Sequence, residues 1–358
     1  MIALPSRYKL IASISGGGMS ETLHCRDKVL MRDVVVKALK PGVSPIRLLD
    51  ELAALSAIRS QYVVEIYDVI RDASGNVLAV IEEYLSGADL SPCSAGCAAS
   101  DALKALYPVA AGIAEIHAHG RIHRDLKPEN MKFDAAGQLN IFDFGLAKIT
   151  GSPGTSQLYF SQGYTAPEAF QLSPAGLHTY TSAVDVYAFG CVAVWLLSGG
   201  TLPVELMSVP PTLPVPDFNF SGIAPSLPGA LPALLDRCMD KDAGARPGMD
   251  EVRDTIAAEL LRGKHRLLLT YGNTTQPVGV ANPTAKLSAA GATITIFYDG
   301  LRFSVMAVSG SVLINNSLAK VGLPLRGSSV IVMGIKDVSA GLYPQSITAD
   351  VSHPEATS

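Results

Sequence analysis

Apolar and polar residues alternate through the first 40 positions, where "YKLIASI" (8–14), "ETLHCRD" (21–27) and "DVVVKAL" (33–39) each read as a strand, with "KVLMR" looping between the last two. The pattern predicts an antiparallel β start. "SPIRLLDELAALSAI" (44–58) then shifts to helical spacing at Leu48, Leu52 and Leu55, with Ser44 as N-cap and Pro45 at the first helical position. "YVVEIYDVI" and "VLAVIEEYL" return to strand character around "RDASGN" and predict a hairpin. From Ala99 a helix is expected, with Leu103, Leu106, Ala110 and Ile113 on one face and Gly120 as its stop. Later helices are predicted in 181–200, 231–240 and 249–263. The proline-rich stretch 202–232 predicts no regular helix between the first two of these.

After about residue 263 the texture changes to short β-branched runs, "HRLLLTY", "ATITIFY", "RFSVMAV", "SVLINN" and "SVIVMGI", separated by Gly, Asn and Ser. They predict a second, all-β domain ending in a frayed tail, "VSHPEATS". The length of 358 residues suits two domains, and 48% hydrophobic with 17% charged residues suits a buried core. A net charge of -4 gives no general attraction to nucleic acid or to an anionic membrane. The longest nearly apolar run, Val186 to Leu197, is too short to span a bilayer, and the N-terminus lacks the pattern of a secretory signal. Cytoplasmic residence without membrane insertion is the expectation. Five scattered cysteines favour reduced thiols, and neither the Cys93/Cys97 pair nor the His117/His119 pair has companions at zinc-site spacing.

"IHRDLKPEN" (122–130), "FDFGLAK" (142–148) and "APE" (166–168), with "VVVK" upstream, carry the most chemistry. Their order and spacing resemble the eukaryotic-like (Hanks-type, bacterial-style) Ser/Thr protein kinases over about residues 8 to 262. The resemblance implies an α+β fold, a bilobal protein kinase domain over 1–262 with a β-rich N-lobe (about 8–84) and a helical C-lobe (about 90–262). A β-sandwich domain would follow over 263–358. It also implies transfer of the γ-phosphate of ATP to Ser/Thr hydroxyls of protein substrates, with magnesium and with manganese able to replace it.

In that reading Asp125 orients the acceptor hydroxyl, Lys127 places a cation beside the transferring phosphate, and Asn130 and Asp143 are the metal ligands. Lys37 would contact the α- and β-phosphates. Its partner acid lies on the following helix, where both Asp50 and Glu51 are available, and the register of "IRSQYVVEIYD" favours Glu51. Leu55 would pack toward Phe144 and His123. The glycine-rich lid falls on Ser15, Gly16, Gly17, Gly18 and Ser20, with serines where the family has its outer glycines. Glu83 and Leu85 join the nucleotide-binding set, and Glu82 stands at the back of the adenine pocket, where an apolar residue or threonine is usual. It would pair with Lys37 or narrow the pocket.

Arg124 marks an arginine that can pair with a phosphate on the activation segment, for which Thr150, Ser152, Thr155, Ser156 and Ser161 are candidate autophosphorylation sites. Asp185 would tie the catalytic-loop backbone to a buried helix, and Arg246 would pair with Glu168. Residues 286–334 resemble the second half of a forkhead-associated domain, but the Gly-Arg expected near its start is absent and Asn316 replaces its glycine. That end is expected to serve regulation or protein-partner binding. Two other classes fit the same motifs, a nucleotide-binding pseudokinase scaffold and a phosphopeptide-type adaptor.

Overall fold

Period-two patterning folds the described residues of the N-terminal third into five strands: β1 Tyr8–Ser15, β2 Ser20–Asp27, β3 Arg32–Leu39, β4 Ile66–Arg71 and β5 Val77–Glu83. The computed structural model describes residues 4–15, 20–40, 46–94, 97–152, 154–325, 327–334, 343–352 and 354, so Gly16, Gly17, Gly18, Ser44 and Pro45 lie outside the described residues. The chain divides into two compact units, Met1–Ile256 and Ala257–Ser358, six residues before the boundary read from composition.

In the first unit the strand order is β1-β2-β3-β5-β4, with every neighbouring pair antiparallel. Alternation gives the sheet two different faces. Leu23, Val34, Val36, Ala79 and Ile81 form one buried cluster, while Val77 and Val80 on the other side pack with Leu48 of helix α1, Ile46–Leu55. Lys37 lies opposite Val80, and Glu82 lies opposite Val35. Lys37 and Glu82 are therefore diagonal neighbours on the α1 side. The segment Tyr62–Glu65, predicted as the start of β4, is not strand. Instead Val64 donates to Ile141 and Ile141 donates to Tyr62, so those backbone groups serve a later strand.

Helix α2, Ala99–Ala118, buries Leu103, Leu106, Ala110 and Ile113 as the spacing predicts. It meets that later strand closely at Gly112, where a Cβ would lie 2.9 Å from Ile141 Cδ1. Two short pairs follow, β6 Arg121–Ile122 with β9 Lys148–Ile149, and β7 Met131–Phe133 with β8 Leu139–Ile141. Helix α3, Ala183–Leu197, is buried almost all round, which explains its lack of an amphipathic period. The proline-rich stretch forms only a single helical turn, α4 Phe220–Ile223, before α5 Leu231–Cys238 and α6 Met249–Leu261.

Among the described residues the second unit has ten strands: β10 Leu267–Tyr271, β11 Thr274–Val278, β12 Thr284–Ala289, β13 Ala292–Tyr298, β14 Phe303–Ser309, β15 Val312–Ile314, β16 Ser317–Leu318, β17 Pro324–Leu325, β18 Ser328–Met333 and β19 Gln345–Val351. They form sheets of order β11-β10-β19-β18-β15-β16 and β12-β13-β14-β17, and both contribute side chains to one buried core. Asn315 and Asn316 turn β15 into β16 at φ of 49° and 64°, a conformation asparagine tolerates. The expected frayed tail needs correcting at its start. Val351 pairs with Leu267 within β19, an inner strand, and Ser352 exchanges hydrogen bonds with Arg266.

Candidate active site

The loop after β6 is shaped by one buried carboxylate. Asp185, in the first turn of α3, accepts the backbone N–H groups of His123 and Arg124, each at 2.8 Å, and its Oδ2 lies 2.9 Å from His117 Nε2. Burial alone would raise its pKa, but His117, the nearby His123 and the backbone donors outweigh burial and hold it below the ordinary value. Arg124 is thereby held at a φ of 72°, rare for a side chain of that size. Its guanidinium lies 3.7 Å from the centre of the Tyr180 ring, so the arginine expected to meet a phosphate is stacked on an aromatic face.

Asp125 follows at once and gathers three partners. Lys127 Nζ reaches its carboxylate at 2.8 and 3.1 Å, Asn130 Nδ2 donates to its backbone oxygen at 2.8 Å and to Oδ2 at 3.1 Å, and Ser161 Oγ donates to Oδ1 at 2.5 Å. Lys127 also donates to Ser161 Oγ at 2.9 Å, and Thr165 brackets Ser161 through its backbone N–H and C=O. With its amide nitrogen committed to Asp125, Asn130 has its Oδ1 left as the atom that can ligate.

The second cluster centres on Lys37, whose Nζ lies 2.6 Å from Glu51, 3.3 Å from Glu82 and 3.7 Å from Asp143. Burial would lower the lysine's pKa, but those carboxylates hold it well above the usual range. Burial pushes Glu82 up to about 8; the pull of Lys37 opposes this and the charge of Glu51 adds to it. At Asp143, Lys37, His123 and Lys127 overcome the effect of burial and keep the carboxyl low. Glu51 Oε1 also accepts the Phe144 N–H at 3.0 Å, linking α1 to the segment after β8. Asp50, one residue earlier, turns instead to Lys148 at 2.6 Å. The helix period thus separates the two acids, and Glu51 is the one facing Lys37.

Val35, Lys37, Glu82, Glu83, Leu85 and Asp143 line one cavity of about 430 Å³. Strand β1 ends at Ser15 and β2 begins at Ser20. Leu55 is buried, and His123 meets Phe144 edge-on with ring centres 4.5 Å apart. Glu168 and Arg246 form a two-pronged pair at 2.6 and 2.8 Å, and Arg246 also donates to the carbonyls of Ala183 and Asp240. Among the acceptor candidates Thr150 and Ser156 are exposed, Ser152 is half-buried, Thr155 bridges to His178, and Ser161 belongs to the Asp125 network.

Thr165 and Tyr180 were not singled out in the sequence, and His117 was weighed there only as half of a metal-type pair, not as a partner of Asp185. His117 had a signal, since it continues the buried stripe Leu106, Ala110, Ile113 of α2 by one further step of four. A polar residue ending an apolar stripe asks for a buried partner. Tyr180 had none.

The protein kinase domain model matches residues 8–255. The protein named serine/threonine-protein kinases drp72 of Corynebacterium efficiens is 34% identical over 206 residues, covering 54% of this chain and 39% of that relative. Serine/threonine-protein kinase pkn2 of Myxococcus xanthus is 31% identical over 287 residues, covering 72% of this chain and 33% of that one. Cyclin-dependent kinase 20 of Rattus norvegicus is 37% identical over 183 residues, about half of each chain. The chain spans half or less of the length of these curated relatives. With more than two thirds of its residues inside the family match, and with Lys37, Asp125 and Asp143 brought to two adjoining clusters, the chain belongs to the protein kinase family.

Proposed function

We propose that this chain transfers the γ-phosphate of ATP to Ser or Thr hydroxyls of protein substrates, using a kinase domain over about residues 1–262. The observation that carries the reading is the shared cavity of Lys37, Asp143, Glu83 and Leu85, with Lys37 held against Glu51 at 2.6 Å. Phosphoryl transfer is mostly positioning and charge stabilisation. Lys37 meets the phosphates, Glu83 and Leu85 border the base, and Asp125 receives the acceptor's proton. Lys127 faces the transferring group, and Ser161 keeps Asp125 and Lys127 in mutual register. Lysine at that position, together with the names of the bacterial relatives, supports Ser/Thr as acceptor.

The donor set suits magnesium. Asp143 is half exposed and low in pKa, and Asn130 offers an amide oxygen, both hard ligands. Among the described residues no group of three or more His, Cys, Asp or Glu is arranged to hold a metal ion by itself, so phosphate and water oxygens would complete the set that Asp143 and Asn130 begin. When bound, magnesium neutralises phosphate charge. Autophosphorylation falls on exposed Thr150 or Ser156, and the two-sheet second unit, read as a β-sandwich, regulates the kinase domain or binds a protein partner.

Radiolabelled ATP tests the reading with the full chain and with Asp125→Asn and Asp143→Ala. Label is expected on the unaltered chain or on added casein and is lost in both variants; equal labelling of all three would refute the site assignment. Intact mass after ATP treatment reports autophosphorylation.

A further inference from the structure

Lys37 is gripped from two different supports. Glu51 belongs to α1, whereas Glu82 belongs to β5, hydrogen-bonded directly to the strand that carries Lys37. Glu82 is 2% exposed, its Oε2 lies 3.3 Å from Lys37 Nζ, and its Oε1 has no hydrogen-bond partner among the described residues. A buried carboxyl with one oxygen unpartnered is costly where an apolar side chain would simply fill the space. The contact with Lys37 is what the carboxyl gains in return. An ammonium has three donors, so Lys37 can serve Glu51 and Glu82 at once.

We infer that Glu82 is a second positioning residue for Lys37, a sheet-anchored holder that keeps the ammonium against the nucleotide phosphates even when the contact from α1 is lost. This rests on the kinase reading of the cavity. In a site with one holder, placement of the lysine follows the helix. Here strand pairing fixes Glu82 relative to Lys37, since the two stand diagonally across neighbouring strands. Movement or substitution on α1 therefore leaves one acid in place.

A double-mutant cycle on the full chain tests this, with isosteric Glu51→Gln and Glu82→Gln alone and together. Two readouts are taken: kcat/KM for ATP with casein as acceptor, and Kd for a fluorescent ATP analogue. Each single variant is expected to lose less than about tenfold. The double variant should lose at least about tenfold more than the product of the single losses, a coupling of about 1.4 kcal/mol. A merely structural role predicts simple multiplication, and that outcome would overturn the inference. So would a rise in activity for Glu82→Gln, which would make Glu82 a competitor that draws Lys37 away from phosphate. Absence of label transfer by the unaltered chain would refute the proposed function; the analogue-binding cycle still decides the role of Glu82, because it requires no chemistry.

Discussion

Replacing Asp185 by asparagine keeps the shape and removes the charge. Its carboxylate accepts from His123 N, Arg124 N and His117, at 2.8, 2.8 and 2.9 Å. An amide has a single oxygen. With that oxygen on the His123 and His117 side, the NH₂ group meets the Arg124 N–H, and one charge-assisted hydrogen bond of about 1.5–3 kcal/mol is lost. The other two weaken toward neutral strength by about 1 kcal/mol each, for a total of about 4 kcal/mol. For a unit of this size each kcal/mol lowers Tm by about 2–4 °C, so a fall of about 10 °C is expected. Scanning calorimetry of the full chain reads it, in the transition of the first unit. Phosphorylation should fall by more than about tenfold, because Arg124 no longer has the support that holds it at a φ of 72° beside Asp125. The pH dependence is a separate check. The native carboxyl is held below the ordinary value of 3.8, so its stabilisation is present above that value and is lost as pH falls through the native pKa. The gap between the unaltered chain and Asp185→Asn should therefore close in acid. A Tm shift under about 2 °C would refute the claim that this carboxylate organises the loop.

Arg246→Lys replaces a fully buried fork with a point charge and forfeits the paired contact to Glu168; a loss of about 3–5 kcal/mol is expected, and a Tm unchanged within error would contradict it. Glu82 binds its proton more tightly when folded, with a pKa moved from 4.5 to about 8, so its contribution to stability declines as pH rises through that window. Urea titrations at pH 6 and pH 9 should show Glu82→Gln flattening that decline, and parallel pH profiles would argue against it. Ile347→Ala, at a buried position of β19, should destabilise the second unit by about 2–5 kcal/mol, whereas Tyr343→Ala, which is 61% exposed, should cost little. Equal effects of the two would argue against β19 as an inner strand.

Local pattern made much of the fold legible. Strands β1 to β3 and helices α2, α3, α5 and α6 fall where alternation or helical spacing places them, because each buries a face written into consecutive residues. Strand β19 was missed because "QSITADV" alternates modestly, and its inner place comes from pairing with β10 and β18, distant in sequence. The stretch Tyr62–Glu65 reads as strand from its apolar residues, yet its backbone partner is Ile141, a choice that exists only once the chain has folded.

The site divides along the same line. Asp125, Lys127 and Asn130 act on one another within six residues, so a short motif contains their geometry, and the spacing to "FDFGLAK" and "APE" contains the order of the segments. The register of "IRSQYVVEIYD" favoured Glu51 over Asp50 as the acid that meets Lys37, and the physical reason, a helix phase that turns Glu51 inward and Asp50 toward Lys148, is visible only in the packing. Likewise the sequence could place Glu82 at the back of the cavity but could not choose between pairing and narrowing. The diagonal register of β3 and β5 decided that, because contacts across strands are set by pairing rather than by separation along the chain.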